Sequence, residues 1–141
     1  MKAKTIIATA LLTAGLGFGA VSTPTSAASW HNGTPKILQG KWRTKAKYVS
    51  RWKTKARGTL HISKHHFSYQ AWSIPDPNGL GKMQYKHTGH GVYLLSGRIY
   101  TNAPAGGIKT KFKFKLYNAH KLYMKSYAGD AHYANRVYYK Y

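Results

Sequence analysis

The segment from Lys109 to Tyr117 alternates strictly between cationic and mostly apolar side chains. Lysines occupy positions 109, 111, 113 and 115, whereas positions 110, 112, 114 and 116 hold Thr, Phe, Phe and Leu. Successive side chains of a β-strand point to opposite faces, so a two-residue period is typical of a strand with one buried face. The segment therefore predicts a half-buried strand whose lysines lie in water.

Similar runs of β-branched and aromatic residues recur along the chain. They cover Lys41–Tyr48, Gly58–Ser63, His65–Trp72, Lys82–Thr88, Gly91–Thr101, His120–Tyr127 and His132–Tyr141. Short breaker segments separate most of them, which favours antiparallel hairpins and a meander. About eight strands in roughly 100 residues must close on themselves or stack to hide their edges. The sequence therefore predicts an all-β domain, a single antiparallel up-and-down barrel of about eight strands, preceded by one short helical turn at Pro35–Leu38.

The first 28 residues have the pattern of a secretory signal peptide. Lys2 and Lys4 give a cationic start, positions 5–21 are mostly apolar or small, and small residues precede Ala28. We expect a leader at 1–28, cleaved after Ala27 or Ala28, and one domain at 29–141. Loss of the two leader lysines from 23 basic residues leaves 21 against two acidic ones, a formal charge of +19. The mature protein is expected to be secreted, and to be extracellular or loosely associated with the cell wall.

The chain has very few acidic residues and no cysteine. It has 23 Lys and Arg, two Asp, no Glu and no Cys, which gives a formal net charge of +21. Without cysteine there is no disulfide framework and no thiol nucleophile, and chemistry based on paired carboxylates has only Asp76 and Asp130. Eight histidines are present, but zinc needs three or four convergent ligands, and a cationic field repels a dication. We therefore expect no enzymatic activity, no metal site and no cofactor.

Two motifs at opposite ends of the domain resemble those of calycins, the group that contains lipocalins and fatty-acid-binding proteins. Gly40-Lys41-Trp42 resembles the Gly-x-Trp of their first strand, and Arg136-Val137-Tyr138 resembles the Arg-x-Tyr of their last strand. The resemblance implies a calycin-like barrel, closed where Arg136 packs on Trp42. It also implies that Arg136 and Tyr138 can meet the carboxylate of a ligand inside the barrel. The whole chain is, in addition, similar to the small, very basic secreted proteins of lactic acid bacteria.

The excess of positive charge indicates a polyanionic partner. A potential of this sign attracts phosphodiester polymers and acidic polysaccharides, and the attraction weakens in salt. We expect a secreted, non-enzymatic protein that associates electrostatically with anionic cell-envelope polymers such as teichoic acid or acidic polysaccharide. The side chains expected to make these contacts are Arg43, Lys45, Lys47, Lys109, Lys111, Lys113 and Lys115.

Other functions are compatible with the same residues. The first alternative is a carrier of a small apolar or fatty ligand in a calycin-type barrel cavity. A membrane-active cationic protein and an enzyme with a minimal site are further alternatives, although membrane contact is expected to be peripheral at most. Specific recognition of nucleic acid is not expected. The eight histidines predict that attraction to polyanions strengthens as the medium is acidified.

Overall fold

The computed structural model describes residues 29–72, 78–127 and 134–141. The predicted leader at 1–28, the turn around Asp76 and the start of the last predicted strand at His132 lie outside these residues. Short 3₁₀ turns span Lys36–Leu38 and Ser50–Trp52. The strands are β1 (His31–Asn32), β2 (Gly40–Arg43), β3 (Lys47–Val49), β4 (Thr54–Ala56), β5 (Thr59–Ile62), β6 (Phe67–Gln70), β7 (Asn78–His87), β8 (Val92–Ile99), β9 (Ile108–Asn118), β10 (Lys121–Ser126) and β11 (Arg136–Lys140).

Eight of these strands form a closed antiparallel barrel. They follow the order β2-β5-β6-β7-β8-β9-β10-β11, and β11 pairs again with β2. Each strand is antiparallel to its neighbour. Strand β1 adds a short ladder along the second half of β7, where His31 lies opposite Tyr85. The predicted up-and-down barrel of about eight strands is therefore confirmed, and closure satisfies the edges that open strands would expose.

The predicted single strand from Lys41 to Tyr48 is wrong. Strand β2 ends at Arg43, and the chain leaves the barrel wall to form a separate ribbon in which β3 pairs only with β4. The reason is a pair of hydrogen bonds at the end of β2. The Thr44 amide donates to the Gly58 carbonyl at 2.9 Å, and the Gly58 amide donates to Thr44 Oγ1 at 2.9 Å. Thr44 Oγ1 also donates to the Lys45 carbonyl, which turns the chain outward. The β3–β4 ribbon therefore interrupts the single strand predicted for Lys41–Tyr48.

The barrel interior is packed with aromatic and aliphatic side chains. Thr110, Phe112 and Phe114 on β9 are buried, whereas Lys109, Lys111 and Lys113 are exposed, as the alternation predicts. The Phe67 ring lies 5.0 Å from the Phe112 ring and 5.6 Å from the Phe114 ring, edge to face in both cases. Such pairs add about 0.5–1.5 kcal/mol beyond the burial of their area. The inward face of β9 therefore lies at the centre of the core.

One end of the barrel is closed by the short 3₁₀ turn before β2. Trp42 is fully buried and donates its Nε1–H to the Leu38 carbonyl at 2.9 Å. Lys140 lies opposite Trp42 in the β2–β11 ladder, and its Nζ is 5.2 Å from the Trp42 ring centre. The expected partner, Arg136, instead places its guanidinium 4.8 Å from the centre of the Trp72 ring. The first and last strands of the barrel thus contact each other through a tryptophan and a basic residue. That basic residue is Lys140, because the β2–β11 register aligns it with Trp42.

Candidate functional site

The predicted cationic face of β9 forms a straight column on the outer wall of the barrel. We call Lys109, Lys111, Lys113 and Lys115 the lysine column. The first three side chains are exposed, and Lys115 is half-buried because its Nζ donates to the His90 carbonyl at 3.1 Å. Alternate residues of a strand are about 6.8 Å apart, so the column is roughly 20 Å long. Its length and spacing suit an extended polymer more than a compact ligand.

Two neighbouring strands place further cations beside the column. Arg98 on β8 lies opposite Lys109, and Lys125 on β10 lies opposite Lys113. Residues that face each other across an antiparallel ladder share one side of the sheet, and like charges in that position destabilise it. Arg98 is held in place because its Nη1 donates to the carbonyls of Gly106 and Gly107 at 2.9 and 3.1 Å. The sheet therefore keeps two repulsive pairs at this surface, which favours a binding role over a purely solubilising one.

Sequence reasoning did not assign Arg98 and Lys125 to this surface. Lys125 belongs to a segment with the same two-residue period as β9, and Arg98 follows the core residue Leu95 by three positions. Either pattern indicates an outward side chain. Their alignment with Lys109 and Lys113 depends on the register between strands, which no local pattern specifies.

Cations on this protein contact aromatic rings where other proteins use carboxylates. All 21 basic residues after the predicted leader are described and none is buried, whereas both aspartates lie outside the described residues. Eight of the basic side chains lie over aromatic rings. These pairs include Arg43–Tyr141 (4.5 Å), Lys45–Tyr139 (5.8 Å), Lys47–Trp72 (5.5 Å), Lys86–Trp30 (5.3 Å), Lys121–Tyr117 (5.3 Å) and Lys125–Tyr127 (5.6 Å). An aromatic face attracts a cation without cancelling its charge, so the positive potential persists.

The structure divides the seven predicted contact residues into two groups. The lysine column lies on β9, whereas Arg43, Lys45 and Lys47 lie at the end of β2 and in the segment that leads to β3. Strands β10 and β11 separate β9 from β2 in the barrel wall. Neighbouring strands are about 4.8 Å apart, so roughly 14 Å of sheet lies between the two groups. They form two distinct cationic surfaces.

Two members of the second group, Lys45 and Lys47, line a cleft that we call the Trp72 cleft. It has a volume of about 470 Å³ and is lined by Thr44, Lys45, Ala46, Lys47, Trp72, Arg136, Val137 and Tyr139. The sequence does not identify Trp72 as a site residue, because Trp72 is the last residue of the predicted strand His65–Trp72 and belongs to no repeating pattern there. It comes to the surface because β6 ends at Gln70, two residues earlier.

A second open cleft lies where β7 is irregular. It has a volume of about 490 Å³ and is lined by Asn32, Gly33, His65, His66, Lys82, Met83, Gln84, Ser96, Gly97, Arg98 and Lys109. The β7–β8 register shifts between Gly81 and Gln84, and Lys82 has a φ of 50°, in the left-handed region. Bulges of this kind redirect a side chain. Because Lys109 lines this cleft, the cleft is continuous with one end of the lysine column.

Both members of the expected carboxylate-binding pair contact other parts of the protein, but Tyr138 is buried whereas Arg136 is half-buried. The Tyr138 hydroxyl donates to the Ala134 carbonyl at 2.9 Å, and burial raises the pKa of this phenol. Arg136 donates from Nη1 to the Asn135 carbonyl at 2.7 Å and stacks on Trp72. Tyr138 therefore acts as a neutral core residue, and Arg136 belongs to the Trp72 cleft.

Among the described residues, no group of three or more His, Cys, Asp or Glu gathers as metal ligands would. Within the same residues, no helix has the length and apolar character needed to cross a membrane. Comparison with known proteins finds no matching family model, no matching curated protein and no matching solved structure. The closed eight-stranded antiparallel barrel is compatible with a calycin-like fold.

Proposed function

We propose that this is a secreted, non-enzymatic protein that binds anionic polymers of the cell envelope through the lysine column. The observation that carries the proposal is the alignment of Arg98 and Lys125 with Lys109 and Lys113 in adjacent strands. No Asp or Glu side chain lies anywhere in 29–72, 78–127 or 134–141 to neutralise them. Teichoic acid and acidic polysaccharide carry repeated charges of the sign that such a row attracts.

The expected mode of binding is counterion release. Each anionic group that a lysine neutralises frees a condensed cation, so the affinity falls steeply with salt. The long-range field of a protein with this charge also raises the rate of encounter with its target. The leader pattern at 1–28 and the likeness to small basic secreted proteins of lactic acid bacteria support an extracellular location. The resemblance of the two end motifs to those of calycins supports the fold in this proposal, and no ligand is assigned from it.

The packing of the interior supports this function over that of an apolar carrier. The rings of Phe67, Tyr69 and Phe112 lie within 5.0–5.7 Å of one another in the core. Protein interiors are close-packed, so a fatty ligand at this level of the barrel would have to displace these rings. The outer surface needs no such rearrangement to receive a polymer.

The proposal is tested by the salt dependence of binding. We expect the purified protein to bind heparin and glycerol-phosphate teichoic acid, with a logarithmic affinity that falls linearly with the logarithm of the salt concentration. The triple variant Lys109→Gln, Lys111→Gln, Lys113→Gln should reduce the slope by about two to three. The matched control is Lys36→Gln, Lys55→Gln, Lys64→Gln, which removes three exposed charges elsewhere and should change the slope by less. A wild-type protein that binds neither polymer would exclude the proposal.

A further inference from the structure

The Trp72 cleft forms where the first and last strands of the barrel separate. The β2–β11 ladder ends at the pair Arg43 and Tyr139, while β11 begins three residues earlier at Arg136. The chain after Arg43 turns outward at Thr44 toward the β3–β4 ribbon. The resulting gap in the barrel wall has a volume of about 470 Å³. That volume falls within the usual range for small-ligand sites, about 300–1,000 Å³.

The described lining of this cleft combines aromatic faces with cations. Lys47 Nζ lies 5.5 Å and the Arg136 guanidinium 4.8 Å from the Trp72 ring centre. Lys45 Nζ lies 5.8 Å from the Tyr139 ring centre. Lys45 and Lys47 are exposed, whereas Arg136 and Trp72 are half-buried. Among the described residues no acidic side chain lines the cleft, and Lys45, Lys47 and Arg136 give its described lining three positive charges.

These contacts are easily exchanged for those of a ligand. A cation held over a ring at a solvent-exposed position is bound weakly, whereas a hydrogen bond from an ammonium or guanidinium to a carboxylate or phosphate is stronger. Arg136 can offer two parallel N–H donors to such a group. When the cations turn to the anion, the indole face that they cover becomes free for an apolar surface such as the C–H face of a sugar ring.

We infer that the Trp72 cleft binds a negatively charged sugar ring, with Trp72 packing on the ring and Lys47 and Arg136 contacting its carboxylate or phosphate. This inference rests on the proposed function and names the unit of the polymer that the protein selects. The lysine column supplies attraction that depends on charge alone. The cleft adds a preference for polymers built from charged rings over chains without rings.

The test compares three probes and two competitors at a constant ionic strength of about 0.15 M, where long-range attraction is partly screened. Tetragalacturonate has rings and carboxylates, maltotetraose has rings without charge, and linear polyphosphate has charge without rings. Competition by galacturonate or by glucose 6-phosphate distinguishes a carboxylate from a phosphate as the preferred anion. We expect calorimetry to show binding of tetragalacturonate and polyphosphate and no measurable binding of maltotetraose. Binding of maltotetraose as strong as that of tetragalacturonate would overturn the role of the cations.

Variants locate the binding site. Trp72→Leu should weaken the binding of tetragalacturonate about tenfold and that of polyphosphate less than about twofold. The matched control is Trp30→Leu, because Trp30 pairs with Lys86 at 5.3 Å, outside the cleft, and this variant should leave both affinities nearly unchanged. If Trp72→Leu does not fold, the exposed Lys47→Gln decides, with an expected loss of about threefold for tetragalacturonate and Lys86→Gln as its control.

The outcomes separate the two levels of the proposal. A wild-type protein that fails to bind polyphosphate contradicts the proposed function itself. A wild-type protein that binds polyphosphate but shows equal losses for both probes in Trp72→Leu, or the same loss in Trp30→Leu, contradicts only the Trp72 cleft as the selective site. A selective loss in Trp72→Leu or Lys47→Gln supports the inference.

Discussion

The ammonium group of Lys140 lies 5.2 Å from the centre of the Trp42 ring, so a cation from the last strand covers the indole of the first. Gly40 makes this approach possible. A Cβ at position 40 would lie 2.7 Å from Lys140 Cε, and the φ of +133° at Gly40 is one that other residues rarely adopt. The aliphatic stem of Lys140 thus packs over the glycine while its charged end reaches the ring. This contact and the β2–β11 ladder together hold the two ends of the domain in place.

Replacing Lys140 should separate the effect of its charge from that of its stem. Lys140→Met keeps an aliphatic stem and should lower the free energy of unfolding by about 0.5–1 kcal/mol through loss of the cation–ring contact. Lys140→Ala should lower it further because packing over Gly40 is also lost. Urea unfolding followed by Trp fluorescence measures both. Lys41→Met is the control, because Lys41 is exposed on β2, and an equal loss in that variant would show that the contact between Lys140 and Trp42 does not stabilise the barrel.

A buried threonine in β9 offers a way to stabilise the protein. Thr110 Oγ1 is buried and has no hydrogen-bond partner within the described part of the chain. A buried hydroxyl without a partner costs about 1–3 kcal/mol. Thr110→Val replaces it with a methyl group of similar shape and should raise the free energy of unfolding by about 1 kcal/mol.

Thr44→Val is the matched control for this substitution. Thr44 is also buried, but its Oγ1 accepts the Gly58 N–H and donates to the Lys45 carbonyl. The same change should therefore destabilise the protein by about 1–3 kcal/mol. Denaturant unfolding of both variants measures the sign of each change in the free energy of unfolding. Equal changes would mean that burial of the hydroxyl, and not the loss of its hydrogen-bond partner, determines the effect.

The sequence predicts the parts of this fold that depend on one strand at a time. The alternation from Lys109 to Tyr117 assigns Phe112 and Phe114 to the core and the lysines to solvent, and the structure agrees. A period of two residues determines which side of a strand each residue occupies, whichever strand lies next to it. The breaker segments indicate turns through the backbone preferences of Gly, Pro and Asn, which are also local. Fold class and strand faces are therefore accessible from local patterns.

The parts that depend on two distant segments were not predictable in this way. The end of β2 is set by bonds between Thr44 and Gly58, which are 14 residues apart. Arg136 and Lys140 lie on the same face of β11, so only the register with β2 decides which of them covers Trp42. Arg98 joins the lysine column for a similar reason. Candidate sites that combine several strands need the register before their members can be named.

Charge reversal at the lysine column should affect stability and binding in opposite directions. Lys113→Glu turns the repulsive pair with Lys125 into an attractive one, and it should raise the free energy of unfolding by about 0.2–1 kcal/mol at low salt. The same change should weaken binding to heparin. Lys36→Glu is the control, because Lys36 is exposed in the 3₁₀ turn at the end of the barrel and changes the net charge equally. Equal stabilisation by both substitutions would show that the gain comes from net charge and not from the pair.

Acidification should strengthen retention on a polyanion whose own charge stays constant. Seven of the eight histidines, His31, His61, His65, His66, His87, His90 and His120, are described, and all seven are exposed. Histidine is the residue type that ordinarily gains positive charge when a medium is mildly acidified. Heparin is a suitable matrix because its sulfate groups remain ionised over this range. We expect the salt concentration needed for elution to rise steadily as the pH is lowered. The variant His61→Gln, His65→Gln, His66→Gln should show a smaller rise, and an elution profile that is flat in the wild-type protein would contradict a role for the histidines.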